Sequence, residues 1–412
     1  MVLPSPARCH VAVWVLTRAA LLLCVLKVVT YPGPDVTTDV SVIYQGWHEV
    51  LRTGSYPLND VTWQYPPGAA LAILAPGLVP GLGYTSAFFL VVLLCDLLVL
   101  VLLLRTERRA AARRGSWVWV AGVPLLGPTV YARYDLMVTA LAVAALLAGV
   151  RRPKVMGALA GLGALMKVWP LLVLLGTPRG PVTRRSWSAA GVAVVLPALL
   201  LTATMPGALA FLLSQRDRGT EIESLGALVF HVGRHLGWQG QVLLNYGSVE
   251  FLGPYVPLVS GLALALSLAA LGGLAVWRAR ARRFTPATPC DAAFAAVLLF
   301  TTTSRVISPQ YMVWLVGLAA VCLVHRSSRM VRPAVLVLAA TGVTQLEFPM
   351  WFSHVVASDP LGIALLVVRN GLLVAATADA CLRLRRQTVT GGEQAGSALS
   401  RDERSDSPAT SR

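Results

Sequence analysis

Ten apolar runs, separated by short basic bursts, decide what this chain can fold into. The runs are 11–30, 84–104, 117–132, 135–150, 188–205, 255–277, 291–304, 310–324, 333–347 and 361–382. A membrane-spanning helix needs about 20 mostly apolar residues, and shorter runs fit tilted or half-buried helices. The pattern predicts an all-α polytopic membrane protein. Only 13% of its residues are charged and its mean hydropathy is +0.67. A soluble domain carries about 25% charged residues. That deficit excludes a soluble globular enzyme and a disordered chain. The net charge of +16 suggests nucleic acid, but a nucleic-acid-binding domain gathers its charge on one accessible face. Here the charge sits in bursts between apolar runs, and no nucleic-acid partner is expected.

The bursts are Arg105–Arg114, Arg151–Lys154, Arg179–Arg185, Arg278–Arg283, His325–Arg332 and Arg383–Arg386. Placing all of them in the cytoplasm puts both termini inside, in a multi-pass plasma-membrane protein. Run 11–30 lacks a following small-residue cleavage site and reads as an uncleaved first helix. The six cysteines, Cys9, Cys24, Cys95, Cys290, Cys322 and Cys381, show no metal or disulfide spacing and read as small apolar residues. Residues 155–176 lie between two cytoplasmic bursts. A hairpin of two short helices with Lys167 at its outer tip, or a bent helix that dips in and returns, satisfies that placement. An intramembrane charge is costly, which makes Lys167 a functional suspect.

Outside segments are then 31–83, 206–254 and three shorter loops near Arg133, Arg305 and Trp351. Residues 69–81 read as an interfacial helix. The tail 387–412 reads as disordered, leaving 1–386 as the membrane domain. The outside loops hold most of the polar groups that can do chemistry. Loop 31–83 carries Asp35, Asp39, His48, Glu49 and Asp60 among many aromatics. Asp39 precedes an amphipathic stretch, 40–51, and on spacing alone helix capping by Thr38 or Asp39 is its plainer role. Loop 206–254 places Arg216 and Arg218 around Asp217, followed by Glu221 and Glu223. This is either a solvated ion-pair loop or an anion clamp. His231 and His235, at i and i+4, read as one helix face near the membrane surface. Arg133, Arg305 and His354 sit on the side that normally lacks positive charge, and aromatic belts do not explain them.

The ordered motifs resemble glycosyltransferase family 87. They are Asp39 to Tyr44, Leu51 to Tyr56, Tyr65-Pro66-Pro67, Tyr134-Asp135-Leu136, Lys167-Val168-Trp169-Pro170-Leu171, Arg218 to Ser224, and Ser308-Pro309-Gln310-Tyr311 before Trp314. That family includes polyprenyl-phosphate-mannose-dependent α-mannosyltransferases of the GT-C superfamily. The resemblance implies a bundle of roughly ten to thirteen membrane helices with a catalytic first outside loop. A sugar, mannose by that likeness, moves from a polyprenyl-phosphate donor to a hydroxyl acceptor with inversion. The acceptor is a glycolipid, a glycan or a protein. Asp39 is the implied general base, with Asp35 as the nearby alternative. A phosphate leaving group needs no protonating acid, so one carboxylate suffices, unlike the paired acids of glycoside hydrolases. Fixed cations must meet the departing phosphate, and Arg216, Arg218, Lys167, Arg305 and His354 are candidates. Tyr44, Glu221, Gln310, Tyr311 and Trp351 are candidates for the sugar or the acceptor. The sequence shows no cofactor requirement and leaves metal dependence open: the first loop has carboxylates, but no ligand spacing demands a divalent ion. A secondary transporter is the rival reading, favoured by Lys167 in a broken segment; unrelated halves and two long polar loops speak against it.

Overall fold

The apolar runs fold as helices because backbone groups in hydrocarbon must be satisfied within the segment itself. The computed structural model describes residues 5–58, 60–110, 114–214 and 219–390. In chain order the helices are α1 (Ser5–Val25), α2 (Gln45–Leu51), α3 (Ala69–Leu74), α4 (Tyr84–Ala110), α5 (Gly115–Leu125), α6 (Asp135–Ala148), α7 (Pro153–Met166), α8 (Pro181–Thr204), α9 (Phe211–Ser214), α10 (Leu228–His235), α11 (Val256–Arg280), α12 (Thr288–Thr303), α13 (Tyr311–Val324), α14 (Val331–Gln345), α15 (Phe352–Ala357) and α16 (Pro360–Arg385). Among the described residues six segments are long and apolar enough to cross a bilayer: those of α1, α4, α8, α11, α14 and α16. Between α9 and α11 a small antiparallel sheet, ordered β1-β3-β2, is made of β1 (Thr220–Glu221), β2 (Gln241–Asn245) and β3 (Ser248–Leu252). The chain is thus an all-α, multi-pass membrane protein with a small appendage.

Basic bursts meet at one pole. Arg278 donates to the carbonyls of Leu175 and Thr177, and Arg179 donates back to those of Arg278 and Ala279. Arg383 donates to the Arg329 carbonyl. The two long loops gather at the opposite pole, where the Tyr56 amide donates to the Pro206 carbonyl and Gln64 reaches Tyr246. On α8 and α11 most leucines and valines face outward, as on a helix whose solvent is hydrocarbon. α7 lies against α8, whose backbone approaches so closely that a Cβ at Gly157 would sit 1.9 Å from the Ser186 carbonyl oxygen.

Several boundaries depart from the pattern. The first helix spans Ser5–Val25, not 11–30. Beyond it Lys27 takes φ +59° and pairs with Asp35 at 2.8 Å. The run 117–132 breaks after Leu125, and a 3₁₀ turn, Gly127–Val130, follows from Gly127 at φ +65°. Segment 155–176 is α7, an extended Lys167, then a 3₁₀ turn, Trp169–Leu174; Pro170 supplies no backbone N–H to continue an α-helix. The expected helix at 69–81 forms as α3 followed by a 3₁₀ turn, Ala75–Leu78, with Leu71 and Leu78 50% and 83% exposed and its other face packed inward. In α3, Ala69, Ala70, Ala72 and Ile73 are at most 2% exposed, against α2 and α7. Residues 387–390 of the expected disordered tail form a turn, Arg386–Thr390, that extends α16. The Thr388 hydroxyl accepts from Trp277 and its carbonyl from the Arg282 amide. Residues 391–412 lie outside the described ones.

Two ion pairs among the described residues have both side chains at most 1% exposed. Asp96 of α4 accepts from Arg18 Nε at 2.9 Å, from the indoles of Trp14 (2.9 Å) and Trp119 (2.8 Å) and from the Tyr131 hydroxyl (2.7 Å). Arg369 of α16 holds Glu347 through two hydrogen bonds and donates to the Glu223 carbonyl.

His231 and His235 lie on one face of α10, and both reach Ser358. His231 Nε2 lies 2.8 Å from the Ile222 carbonyl, so that nitrogen carries the proton, and Nδ1 accepts from the Ser358 hydroxyl at 2.7 Å. His235 contacts the Ser358 carbonyl. Burial lowers the His231 pKa to about 4, with Arg234 adding to the fall against the Ile222 hydrogen bond. The neutral ring is therefore the native form. Its contribution is intact above about pH 6.5 and is lost as pH falls from there through 4, at most about 3 kcal/mol. Thermal melting between pH 7.5 and 4 is expected to fall more steeply for the parent than for His231→Gln; equal slopes would refute the assignment.

Candidate active site

Four short helices end at one place. α6 begins at Asp135, α7 stops at Met166, α12 stops at Thr303 and α13 begins at Tyr311. At about 1.5 Å per residue they reach only about 21–24 Å, less than a hydrocarbon core of about 30 Å. The shortfall leaves a recess at the pole of the long loops. A cavity of about 270 Å³ occupies it, walled by loop 31–83, the α7 end, the α12–α13 connection and the β2–β3 turn.

Asp39 lines this cavity. It opens a π-helical turn, Asp39–Tyr44, and no side chain caps that turn, which removes the capping role. Asp39 Oδ2 instead pairs with Arg133 Nη2 at 3.0 Å. Arg133 also donates to the carbonyls of Val36 and Ala132. Burial pulls the Arg133 pKa down, but Asp39 and the neighbouring tyrosines outweigh it and hold the guanidinium charged. The carboxylate is thus aimed by a fixed cation.

Lys167 lies where α7 gives way to the 3₁₀ turn. Its Nζ donates to Asp135 Oδ1 at 2.8 Å and lies 5.2–5.6 Å from the rings of Tyr65, Tyr134, Tyr311 and Trp314. The Trp314 indole donates to the same Asp135 oxygen at 2.8 Å. Four ring faces and one carboxylate stabilise a cation that would otherwise be costly at this depth. Arg305 sits at the cavity's edge. With Phe300 and Ser304 it also lines an apolar groove between α11 and α12. Tyr44, Gln310 and Tyr311 are also on the lining.

Other expected residues lie elsewhere. Asp35 is outside the cavity. It accepts from the Thr37 amide and hydroxyl and from Lys27; these bonds outweigh its partial burial and lower its pKa. His354 contacts Asp359, the N-cap of α16, away from the cavity lining. Trp351 is 37% exposed and also off the lining. Glu221 is buried one layer behind, accepting from the Ser308 hydroxyl at 2.8 Å. Arg216 and Arg218 lie outside the described residues. Among the described residues no group of three His, Cys, Asp or Glu side chains is placed to hold a metal ion.

Sequence reasoning gave no role to Arg133, Asp135, Gln64, Trp314 or the hairpin turn. The motif Tyr134-Asp135-Leu136 marked the right place, and Arg133 stood out as an unexplained cation. Their partners lie 94, 32 and 182 residues away in Asp39, Lys167 and Tyr246, and no local pattern reports such distances.

Fold and cavity define a multi-pass membrane protein with a charged, aromatic-walled recess beside a lipid-facing groove. The chain belongs to glycosyltransferase family 87, whose profile matches residues 63–309. That span includes Arg133, Asp135, Lys167 and Arg305, and begins after Asp39. No curated protein matches the chain. Two solved structures of ArnT from Cupriavidus metallidurans are similar to it at 16% identity. One, bound to undecaprenyl phosphate, has a TM-score of 0.44 and covers 90% of this chain and 77% of that one; the other, in the apo state, has a TM-score of 0.45 and covers 91% and 77%.

Proposed function

We propose that this glycosyltransferase moves a sugar, mannose by the family resemblance, from a polyprenyl-phosphate carrier to a hydroxyl acceptor on the extracytoplasmic face of the plasma membrane. The observation that carries this reading is one cavity with Asp39 on one wall, Lys167 and Arg305 on others, and an apolar groove opening beside Arg305. A donor of this kind is half lipid and half sugar phosphate, and its two halves match the groove and the cavity. The acceptor oxygen forms a bond to the anomeric carbon as its proton passes to the Asp39 carboxylate. The bond from that carbon to the phosphate oxygen breaks, its electron pair stays on the phosphate, and Lys167 and Arg305 meet the added charge. Attack opposite the leaving phosphate inverts the anomeric centre. The basic pole faces the cytoplasm by the positive-inside rule, which puts the cavity outside.

Purified protein in liposomes, given radiolabelled polyprenyl-phosphate mannose and a membrane glycolipid extract, tests the reading. Transfer of label into a product of opposite anomeric configuration supports it. Uptake of a solute with no transfer would favour the transporter, for which the Lys167–Asp135 pair beside a broken helix is the one structural argument. Lys167→Met is expected to lower transfer by about 10²–10³-fold, the usual cost of removing a fixed group that stabilises transition-state charge. Lys167→Arg should recover part of it. Equal rates in the parent and Lys167→Met would remove Lys167 from the reaction.

A further inference from the structure

α10 has two apolar faces. Phe230 and His231 turn inward, and Phe230 joins a cluster with Ile222, Phe251, Val355 and Leu366. The opposite face carries Val229, Val232 and, at the C-cap, Leu236, which are 58%, 49% and 82% exposed. At i, i+3 and i+7 they share one side of the helix. Arg234 lies off that side and donates to the Val356 carbonyl at 2.8 Å and to the Ser358 hydroxyl at 2.9 Å. His235 turns its Nε2 to the Ser358 carbonyl, 2.7 Å away. A helix facing water carries its polar residues outward, whereas this outward side is apolar.

The depth of this face decides what covers it. α11 and α16, of 25 and 26 residues, are about 37–39 Å long, against a hydrocarbon core of about 30 Å. Shared between two ends, the excess leaves about 4 Å of each helix clear of the core at the cavity's pole. Val259, about one turn into α11, packs against the cluster that holds α10, and a Cβ at Gly226 would lie 2.9 Å from its side chain. Leu366 of the same cluster lies about two turns into α16. α10 is thus level with the hydrocarbon boundary. Trp238, just past it, donates to the Pro254 carbonyl at 2.9 Å, tying it to the start of α11. Tyr255, the exposed N-cap of α11, marks the same level, where aromatic side chains gather.

We infer that α10 is an interfacial helix, with Val229, Val232 and Leu236 seated in lipid at the boundary of headgroups and acyl chains. The partner of this face is phospholipid, in the leaflet at the cavity's pole. The inference rests on the fold alone, and sugar transfer is no part of it. Seating α10 also seats the sheet. Phe251 of β3 packs on Phe230 and His231 at ring-centroid separations of 5.5 and 4.8 Å, and the β2–β3 turn lines the cavity.

The unmodified full-length chain in phosphatidylcholine liposomes tests this. One set of liposomes is doped with a phospholipid bearing an aryl diazirine near the glycerol end of an acyl chain, and a second set with the diazirine at the far end of the chain. After photolysis the labelled residues are mapped by mass spectrometry. Leu258, near the start of α11, and Leu266, near its middle, are the references; both face outward, 60% and 51% exposed. The shallow probe is expected to label Val229, Val232 and Leu236 about as strongly as Leu258. The deep probe is expected to label them about fivefold less than Leu266, because an interfacial helix enters only about 5–10 Å. An unlabelled α10 beside a labelled Leu258, whether bare to water or covered by a second copy of the chain, overturns the assignment. Labelling of α10 by the deep probe at the level of Leu266 overturns it too, since the helix would then lie within the hydrocarbon.

Discussion

Asp39→Asn is expected to lower sugar transfer by roughly 10²–10⁴-fold, the usual contribution of a positioned general base. Asparagine keeps the shape of the side chain and can still accept a hydrogen bond from Arg133, but it cannot take a proton from an acceptor hydroxyl. Melting should fall, by more than the about 0–1 kcal/mol of an exposed pair and by less than the about 3–5 kcal/mol of a fully buried one, because Arg133 is 12% and Asp39 33% accessible; transfer is therefore compared at equal amounts of folded protein. Asp35→Asn is the matched comparison. Its carboxylate is occupied by Thr37 and Lys27 outside the cavity, and transfer should stay near the parent rate. Quantifying labelled product from equal amounts of the three proteins decides the matter. Loss of transfer in Asp35→Asn with none in Asp39→Asn would exchange their roles.

The second large effect concerns folding. Asp96→Ala is expected to destabilise the protein by about 3–5 kcal/mol, because it leaves the buried Arg18 guanidinium without its counter-charge. Arg18 and Asp96 are 1% and 0% exposed, and the Trp14, Trp119 and Tyr131 donors lose their shared acceptor as well. Arg18→Leu/Asp96→Leu removes both charges and should recover a large part of the loss, since well-packed apolar replacements of a buried pair are often neutral. Thermal unfolding in detergent, read by size-exclusion profile, measures both variants. If the double variant is no better than Asp96→Ala, the cost lies in packing and the charge argument fails.

Much of the fold was legible in the sequence, and the reason is local. A run such as 84–104 must become a helix of bilayer length, because hydrocarbon leaves its backbone no other partner. The ends of α4, α6, α12 and α13 fall within a few residues of the runs that foretold them, except where α4 continues through its basic flank to Ala110. Errors arose where tertiary contact overrode pattern. Thr388 sits in a tail of disordered composition yet is bound by Trp277. At the site, Lys167 was visible as a charge in the wrong surroundings and Asp39 only through the motif resemblance, whereas His354 and Asp35, also candidates by sequence, have their partners, Asp359 and Lys27, away from the cavity.

By itself, then, the order of residues determined a multi-pass helical protein with its polar chemistry at one pole, since segment length and charge placement act within a single stretch of chain. Only the folded bundle decided which charges share a cavity. Asp39 meets Arg133, Lys167 meets Asp135 and Trp314, and Gln64 meets Tyr246 because four helices too short to span the membrane end together and leave room between them. Such meetings depend on how helices pack across long sequence separations, and no pattern within one segment carries that information.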